Sequence, residues 1–360
     1  MSTHYGRNID IEIYGGSHSE CIGVKIKGLP KGTKIDQEGL LAFMARRAPG
    51  QNAFSTTRKE PDVPVFTEGV TDNVITGDLV HAVIYNTNQR SNDYKNTSFV
   101  PRPSHADYAA KMKYGENVDL RGGGHFSGRL TAPMCVAGYI CLDLLKEKGI
   151  HIGAHLYSVG KVTDVPFDKV NVSKEIFDSL KNAEFPTINE ELGKKMQNEI
   201  IAAKEEGDSV GAIIECAVTG MNAGLGEHMF YGVENRISSI IFGIPAVKGI
   251  EFGNGFECAT LRGSQNNDEF YTDGNKVYTK TNNSGGVLGG MSNGMPIVFR
   301  AAMKPTPSIF REQNSVDMNT MTNVKLTING RHDPCVAVRA IPVFEAATAI
   351  AIFDMLSDKD

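Results

Sequence analysis

The chain has 360 residues and a formal net charge of −5, with 41% hydrophobic and 22% charged side chains. That is the composition of a folded globular protein, not of a disordered or fibrous one. The slight acidity argues against bulk nucleic-acid binding, which needs a basic excess.

The opening MSTHYGRNIDIE has no apolar core and no small-residue cleavage site, so it does not read as a secretory signal. IDIEIY (9–14) and GVKIKG (23–28) alternate apolar and polar side chains, the period of half-buried strands. Between them GGSHSE (15–20) puts His18 just past a strand end and two glycines, where a turn with an incidental surface histidine is the simpler reading. Asp36–Arg47 has a helical period and stops before Ala48-Pro49, and VHAVIYN (80–86) is strand-like. In PRPSHADY (101–108) two prolines fix the backbone around Arg102. Ser104 is placed to cap a short helix with Asp107 in its first turn, which sets His105 at the positive end of that helix. An ordinary capped helix start explains the same residues.

RGGGHFSGRLTAP (121–133) runs from three glycines through His125, Phe126, Ser127 and Arg129 into a helix over Thr131–Lys148. It matches neither a P-loop nor a dinucleotide fingerprint. A tight turn into a buried helix would account for the glycines, but Arg121 and Arg129 favour a backbone cradle for an anion. The apolar part of that helix, Ala132 to Leu145, is interrupted and ends in KEKG, so no bilayer span is expected. Asn189–Glu206 reads as an amphipathic helix stopped by Gly207, and VGAIIECAVTG (210–220) as a strand too apolar for an exposed edge. TDGNKVYTKTNN (272–283) reads as a mobile hairpin or loop, and GGVLGGMSNG (285–294) as too glycine-rich for strand or helix. After the strand PIVFRA comes KPTPS, where Pro305 and Pro307 stiffen a loop whose Lys304, Thr306 and Ser308 can point at one phosphate. GRHDPCVAVR (330–339) crowds Arg331, His332, Asp333 and Arg339 ahead of an apolar helix, Pro342–Ser357, opened by its proline.

Strands and helices do not alternate as in a doubly wound sheet, so an α+β layered fold in one domain, 1–360, is expected. The six cysteines form no CxxC pair and read as free thiols in a reducing cytoplasm. No zinc, HExxH or serine-elbow pattern occurs, so no metal site is expected. Arg102, Arg129, Arg331 and Arg339 lie beside glycine, proline or apolar neighbours rather than in charged runs. Arginine is preferred where planar carboxylate or phosphate is recognised, so a small polyanionic ligand is implied.

Taken in order, GGSHSE, RRAPG, RPSHADY, RGGGHFSGR, LRGSQNNDE, GGMSNG, KPTPS and GRHDPCVAVRAIPVFEA resemble the chorismate synthase family from the first strand to the last helix. The resemblance implies a large β-α-β sandwich with helices between antiparallel sheets, assembled as a homotetramer. It implies an anti 1,4-elimination that turns 5-enolpyruvylshikimate 3-phosphate into chorismate and phosphate, with reduced FMN and no net redox change, in the shikimate pathway. By the same resemblance, His18 protonates the departing phosphate, His105 steadies the reduced flavin and Asp333 assists proton movement. FMN contacts would be His125, Phe126, Ser127, Pro245, Ala246, Gly289, Lys304, Pro305, Thr306, Pro307, Ser308 and Arg331. Arg46, Arg47, Arg102, Arg129 and Arg339 would hold substrate anions.

Departures from the family pattern stand out. Gly16 and Ser19 replace the glutamate and final glycine of GESHG, Ser104 replaces a glycine, and His125-Phe126 replace Arg-Ser. Ala53 stands where some relatives carry an arginine linked to NADPH, which implies a separate flavin reductase. A flavin oxidoreductase on another anion, a non-catalytic binder of phosphometabolites and a phosphatase are the competing readings.

Overall fold

The computed structural model describes residues 1–50, 60–86, 99–328 and 332–358. The first half of the chain supplies β1 (Ser2–Tyr5), β2 (Asp10–Gly15), β3 (Cys21–Lys27), α1 (Gln37–Arg47), β4 (Val65–Glu68), the small pair β5 (Val70–Thr71) and β6 (Val74–Ile75), β7 (Leu79–Tyr85), α2 (Asp107–Tyr114) and α3 (Thr131–Glu147). Then follow β8 (His151–Val159), β9 (Val162–Thr163), α4 (Lys174–Asn182), α5 (Glu190–Glu205), β10 (Ala212–Thr219), α6 (Val233–Ile241), β11 (Val247–Phe252) and the single turn α7 (Gly263–Asn266). The hairpins β12–β13 (Phe270–Thr272, Val277–Thr279) and β14–β15 (Val287–Leu288, Met291–Ser292) precede β16 (Ile297–Met303), the hairpin β17–β18 (Gln313–Asp317, Thr322–Leu326) and α8 (Ala337–Leu356).

Two five-stranded sheets, β1-β2-β3-β7-β4 and β11-β16-β10-β8-β9, carry the fold, and their strand pairs are antiparallel. The helices α3 and α8 fill the space between them. Helix α3 packs on β2, β3 and β7 of the first sheet, α8 on β8 and β10 of the second, and the two helices pack on each other. The architecture is therefore α+β, a sheet–helix–sheet sandwich.

Both central helices are largely apolar on every side, as helices buried between layers are, and α3 is exposed only in its last turn at Lys146 and Glu147. The stretch Gly128–Glu147, 20 residues, does reach the length and apolarity of a membrane span, contrary to the sequence expectation; its burial between the sheets accounts for that composition. The close crossing of α3 and α8 needs Gly138, where a Cβ would lie 2.3 Å from the Ala346 Cβ.

Local sequence explains most element ends. Asp36 caps α1 by accepting from the Gly39 N–H, and Asn189 caps α5 by accepting from Glu191 and Leu192. Ser104 does not cap α2. It sits two residues ahead of the N-cap Ala106, at φ +59°, a left-handed turn where the family pattern has glycine. Helix α8 begins at Ala337 and not at Pro342, so the proline lies inside the helix and removes one intrahelical bond. The stretch 285–294, read as neither strand nor helix, forms the β14–β15 hairpin, with Gly289 and Gly290 supplying the positive φ of its turn. The hairpin expected within 272–283 is β12–β13. All six cysteines are free.

The second sheet buries a charge cluster. The His155 ring lies 2.9 Å from Glu215 and 3.3 Å from Asp164, all three out of contact with water. Arg300 donates to Glu215 at 2.8 Å and stacks over the Tyr157 ring at 4.1 Å. Burial would lower the His155 pKa, but donation towards the Asp164 and Glu215 carboxylates outweighs it and raises it. Burial would raise both carboxyls, and the His155 bonds outweigh it and lower them.

A raised histidine stabilises fully below its unfolded pKa and loses that contribution as pH rises through its folded one. The carboxylates contribute above their unfolded values and lose it as pH falls through their lowered ones. His155→Gln is expected to cost about 3–5 kcal/mol near about pH 6 by leaving two buried carboxylates face to face. In urea titrations the wild-type advantage should shrink as pH rises above the ordinary histidine range. Gly138→Ala should cost about 1–3 kcal/mol in the same measurement by forcing α3 away from α8.

Candidate active site

A cavity of about 890 Å³ opens where α3 and α8 begin, walled by the ends of α1 and α6, the 102–106 turn, the 122–131 segment and the 304–308 loop. Its volume is that of a site for one large or two smaller ligands. The sequence-predicted residues Arg47, Arg102, His105, His125, Phe126, Ser127, Arg129, Pro245, Ala246, Lys304, Thr306, Pro307, Ser308, Asp333 and Arg339 all line it. They come from widely separated segments that only the folded chain brings together.

Each lining guanidinium comes with an acid. Arg102 donates from its backbone N–H and Nε to Asp107 Oδ2 at 3.0 and 2.7 Å, and from Nη2 to Oδ1 at 2.7 Å. The same Oδ1 lies 2.7 Å from His105 Nδ1, so His105 keeps its proton there and turns Nε2 towards the Gly123 turn. Burial would raise the Asp107 carboxyl, but the Arg102 and His105 hydrogen bonds hold it far below the usual carboxylate range. Arg47 and Arg129 share the buried Asp62, one on each carboxylate oxygen, and Glu60 lies 3.4 Å from Arg129 Nε. Asp62 holds this place at φ +51°. Arg339 donates to Asp333 at 2.5 Å and to the Arg47 carbonyl at 3.1 Å.

The lysine is held differently. Lys304 Nζ donates to the Ser104 carbonyl, and burial, then the nearby Lys248, lower its pKa. Its backbone N–H bonds the carbonyl of Ala246, itself at φ +76°, which ties the 304–308 loop to the end of α6. Thr306 Oγ1 is buried with no hydrogen-bond partner among the described residues.

The glycine triplet builds a turn. Gly122, Gly123 and Gly124 have φ of +59°, +95° and +55°. Gly124 accepts from the Ser17 N–H at 3.1 Å, and the Ser17 hydroxyl donates to the Arg121 carbonyl at 3.0 Å. A Cβ on Gly122 would lie 2.5 Å from the His18 ring. His18 is therefore no loose surface histidine. It is buried against Gly122 of the cavity wall and is itself not part of that wall. His125 Nδ1 donates to the Gly15 carbonyl at 2.9 Å, which ties this turn to the end of β2 and leaves Nε2 as its second polar atom.

Other expected residues sit elsewhere. Arg46 does not line the cavity, because both its terminal nitrogens are bound to Glu345 at 2.6 and 2.9 Å. Gly289 is in the β14–β15 turn, and neither it nor Pro305 is part of the cavity wall. Arg331 and Ala53 lie outside the described residues. Glu60, Asp62 and Glu345 went unrecognised in the sequence, and Asp107 was read there only as a first-turn residue of a short helix. Among the described residues no His, Cys, Asp and Glu group is placed to hold a metal ion.

The model of the chorismate synthase family matches residues 9–357. The chain belongs to the chorismate synthase family. The chorismate synthase of Lancefieldella parvula is 41% identical over 367 residues, covering 99% of this chain and 96% of that protein. That of Thermococcus kodakarensis is 43% identical over 351 residues, covering 98% and 96%. A crystal structure of chorismate synthase superposes with a TM-score of 0.75 at 26% identity, covering 98% of this chain and 92% of that one. The chain's general function is accordingly that of a chorismate synthase, and the cavity is its candidate site.

Gly122→Ala should lower chorismate synthase activity by about 10²-fold, because the added methyl displaces His18. Urea unfolding should show the fold retained, with about 1–3 kcal/mol lost to the left-handed backbone.

Proposed function

We propose that the chain catalyses the anti 1,4-elimination of phosphate from 5-enolpyruvylshikimate 3-phosphate, giving chorismate, with reduced FMN bound in the same cavity. The observation that carries this reading is the convergence of Arg47, Arg102, Arg129 and Arg339 on one cavity with His105 and Asp333. The substrate has a phosphate and two carboxylates, and planar guanidiniums match such groups in bidentate fashion.

FMN fits the rest of the wall. The KPTPS loop and the backbone of the glycine turn offer donors for its phosphate, and the buried Thr306 hydroxyl awaits a partner. Phe126, Tyr114, Met134 and Val343 offer apolar and aromatic surface for its ring. When bound, reduced FMN supplies electron density as phosphate leaves and takes up the ring hydrogen.

The chain's own residues bind, orient and move protons. Arg129, Arg47 and Arg339 hold the anions at spacings fixed by Asp62 and Asp333. His18 gives a proton to the departing phosphate. Asp107 keeps His105 in one tautomer, with Nε2 directed to the glycine turn, where it would steady the charge of a bound reduced flavin. Asp333, held by Arg339, is placed to carry a proton between bound groups. A cytoplasmic homotetramer served by a separate flavin reductase completes the proposal. The exposed Met229, Phe230 and Tyr231, beside the β14–β15 turn, suit an interface between copies.

Anaerobic incubation with the substrate and chemically reduced FMN should produce chorismate by absorbance, without net NADPH consumption. A folded protein that forms none refutes the reading, and stoichiometric NADPH use points to an oxidoreductase. His125 stands where the family pattern has an arginine, which offers a planar, bidentate donor set that a single imidazole nitrogen does not. FMN affinity by fluorescence quenching should therefore tighten in His125→Arg.

A further inference from the structure

Arg46 and Glu345 stand behind the cavity wall and not on it. They meet fork to fork, with side chains only 18% and 7% exposed. Glu345 is a lone acid in the middle of an apolar helix. Such a pair contributes little net stability, since two well-packed apolar side chains of similar volume do as well or better. What a fork-to-fork pair adds is direction.

The direction matters because of the neighbours. Helix α1 ends at Arg47, whose carbonyl accepts from Arg339 Nε at 3.1 Å. Arg47 itself donates to Thr131 Oγ1 at 3.2 Å and to the Gly128 carbonyl at 3.3 Å. Arg339 belongs to the first turn of α8. Pro342 separates that turn from the rest of the helix, since its missing N–H cannot bond the Val338 carbonyl. Glu345 lies beyond the proline. The end of α1 is thus gripped by α8 on both sides of the break, by Arg339 before it and by Glu345 after it.

We propose that Glu345 is a positioning residue for anion binding. Through Arg46 it fixes the end of α1, and with it the separation of the Arg47 and Arg339 guanidiniums that face the cavity. The proposal rests on the function proposed above.

The test uses the full chain and the paired apolar variant Arg46→Met with Glu345→Leu, beside Glu345→Gln. Anaerobic kinetics with reduced FMN give KM and kcat for 5-enolpyruvylshikimate 3-phosphate. Calorimetric titration with the same compound gives Kd without turnover, and urea unfolding reports the fold. The apolar pair should unfold at or above the wild-type midpoint, since it leaves no unpaired buried charge. Its KM and Kd should nevertheless rise about tenfold or more, with kcat within about threefold. A purely structural pair would shift the urea midpoint and leave Kd of the folded protein alone. Wild-type Kd in the folded apolar variant therefore overturns the proposal. Wild-type protein that binds the substrate but releases no chorismate sinks the functional reading instead, and the Kd comparison still decides the role of Glu345.

Discussion

A guanidinium drawn out of water needs an acid beside it, and that requirement shapes this site more than any other. The arginines that face the cavity sit in the seam between two sheets and the ends of two buried helices, where an uncompensated charge would cost several kcal/mol. The structure answers with Asp62 between Arg47 and Arg129, Asp107 on Arg102 and Asp333 on Arg339. The wall is therefore not a bare cationic surface. It is an array of fixed dipoles whose positive ends were oriented before any ligand arrives, an arrangement that stabilises charge without reorganisation at the moment of reaction.

The same need organises the secondary structure around the site. Two helices can be largely apolar on every side only if sheets cover both sides, and their first turns then become the floor of a cavity. Alpha3 starts beneath the glycine turn, α8 starts beneath Asp333, and α1 ends against both. Left-handed backbone at Asp62, Ser104 and Ala246 marks where the surrounding loops bend to reach this floor. Such conformations persist only where the rest of the structure over-determines them.

Much of this could be read in the sequence, and the exceptions have physical causes. Periodicity located β2, β3, α1 and α5 to within a residue or two, because each buries one regular face, and α3 showed as an apolar run with Pro133 in its first turn and Gly149 after it. Strand β1 escaped notice because STHY is polar and mostly exposed, and β14–β15 because glycines hid a two-residue hairpin. Pro342 misled because a proline opening a helix and one interrupting it look alike without the preceding turn. Guanidiniums and imidazoles stood out beside glycines and prolines, but of their acids only Asp333 did. Asp62 lies in EPDVP, which resembles a solvated turn, and Glu345 meets Arg46 across 299 positions. One signal was available: a single carboxylate in IPVFEAATAIAIF has to find a partner.

The last helix also closes the start of the chain. Asp354 accepts the backbone N–H groups of Arg7, Asn8 and Ile9 and holds Arg236, the first of these bonds spanning 347 positions. At ribosomal speeds of about 5–20 residues per second, the loop ahead of β2 waits roughly 20–70 s for its acceptor to be synthesised. The first sheet and the helix α3 that covers it thus emerge long before α8, and the apolar side that α3 turns to α8 is left for chaperones to shield until that helix follows.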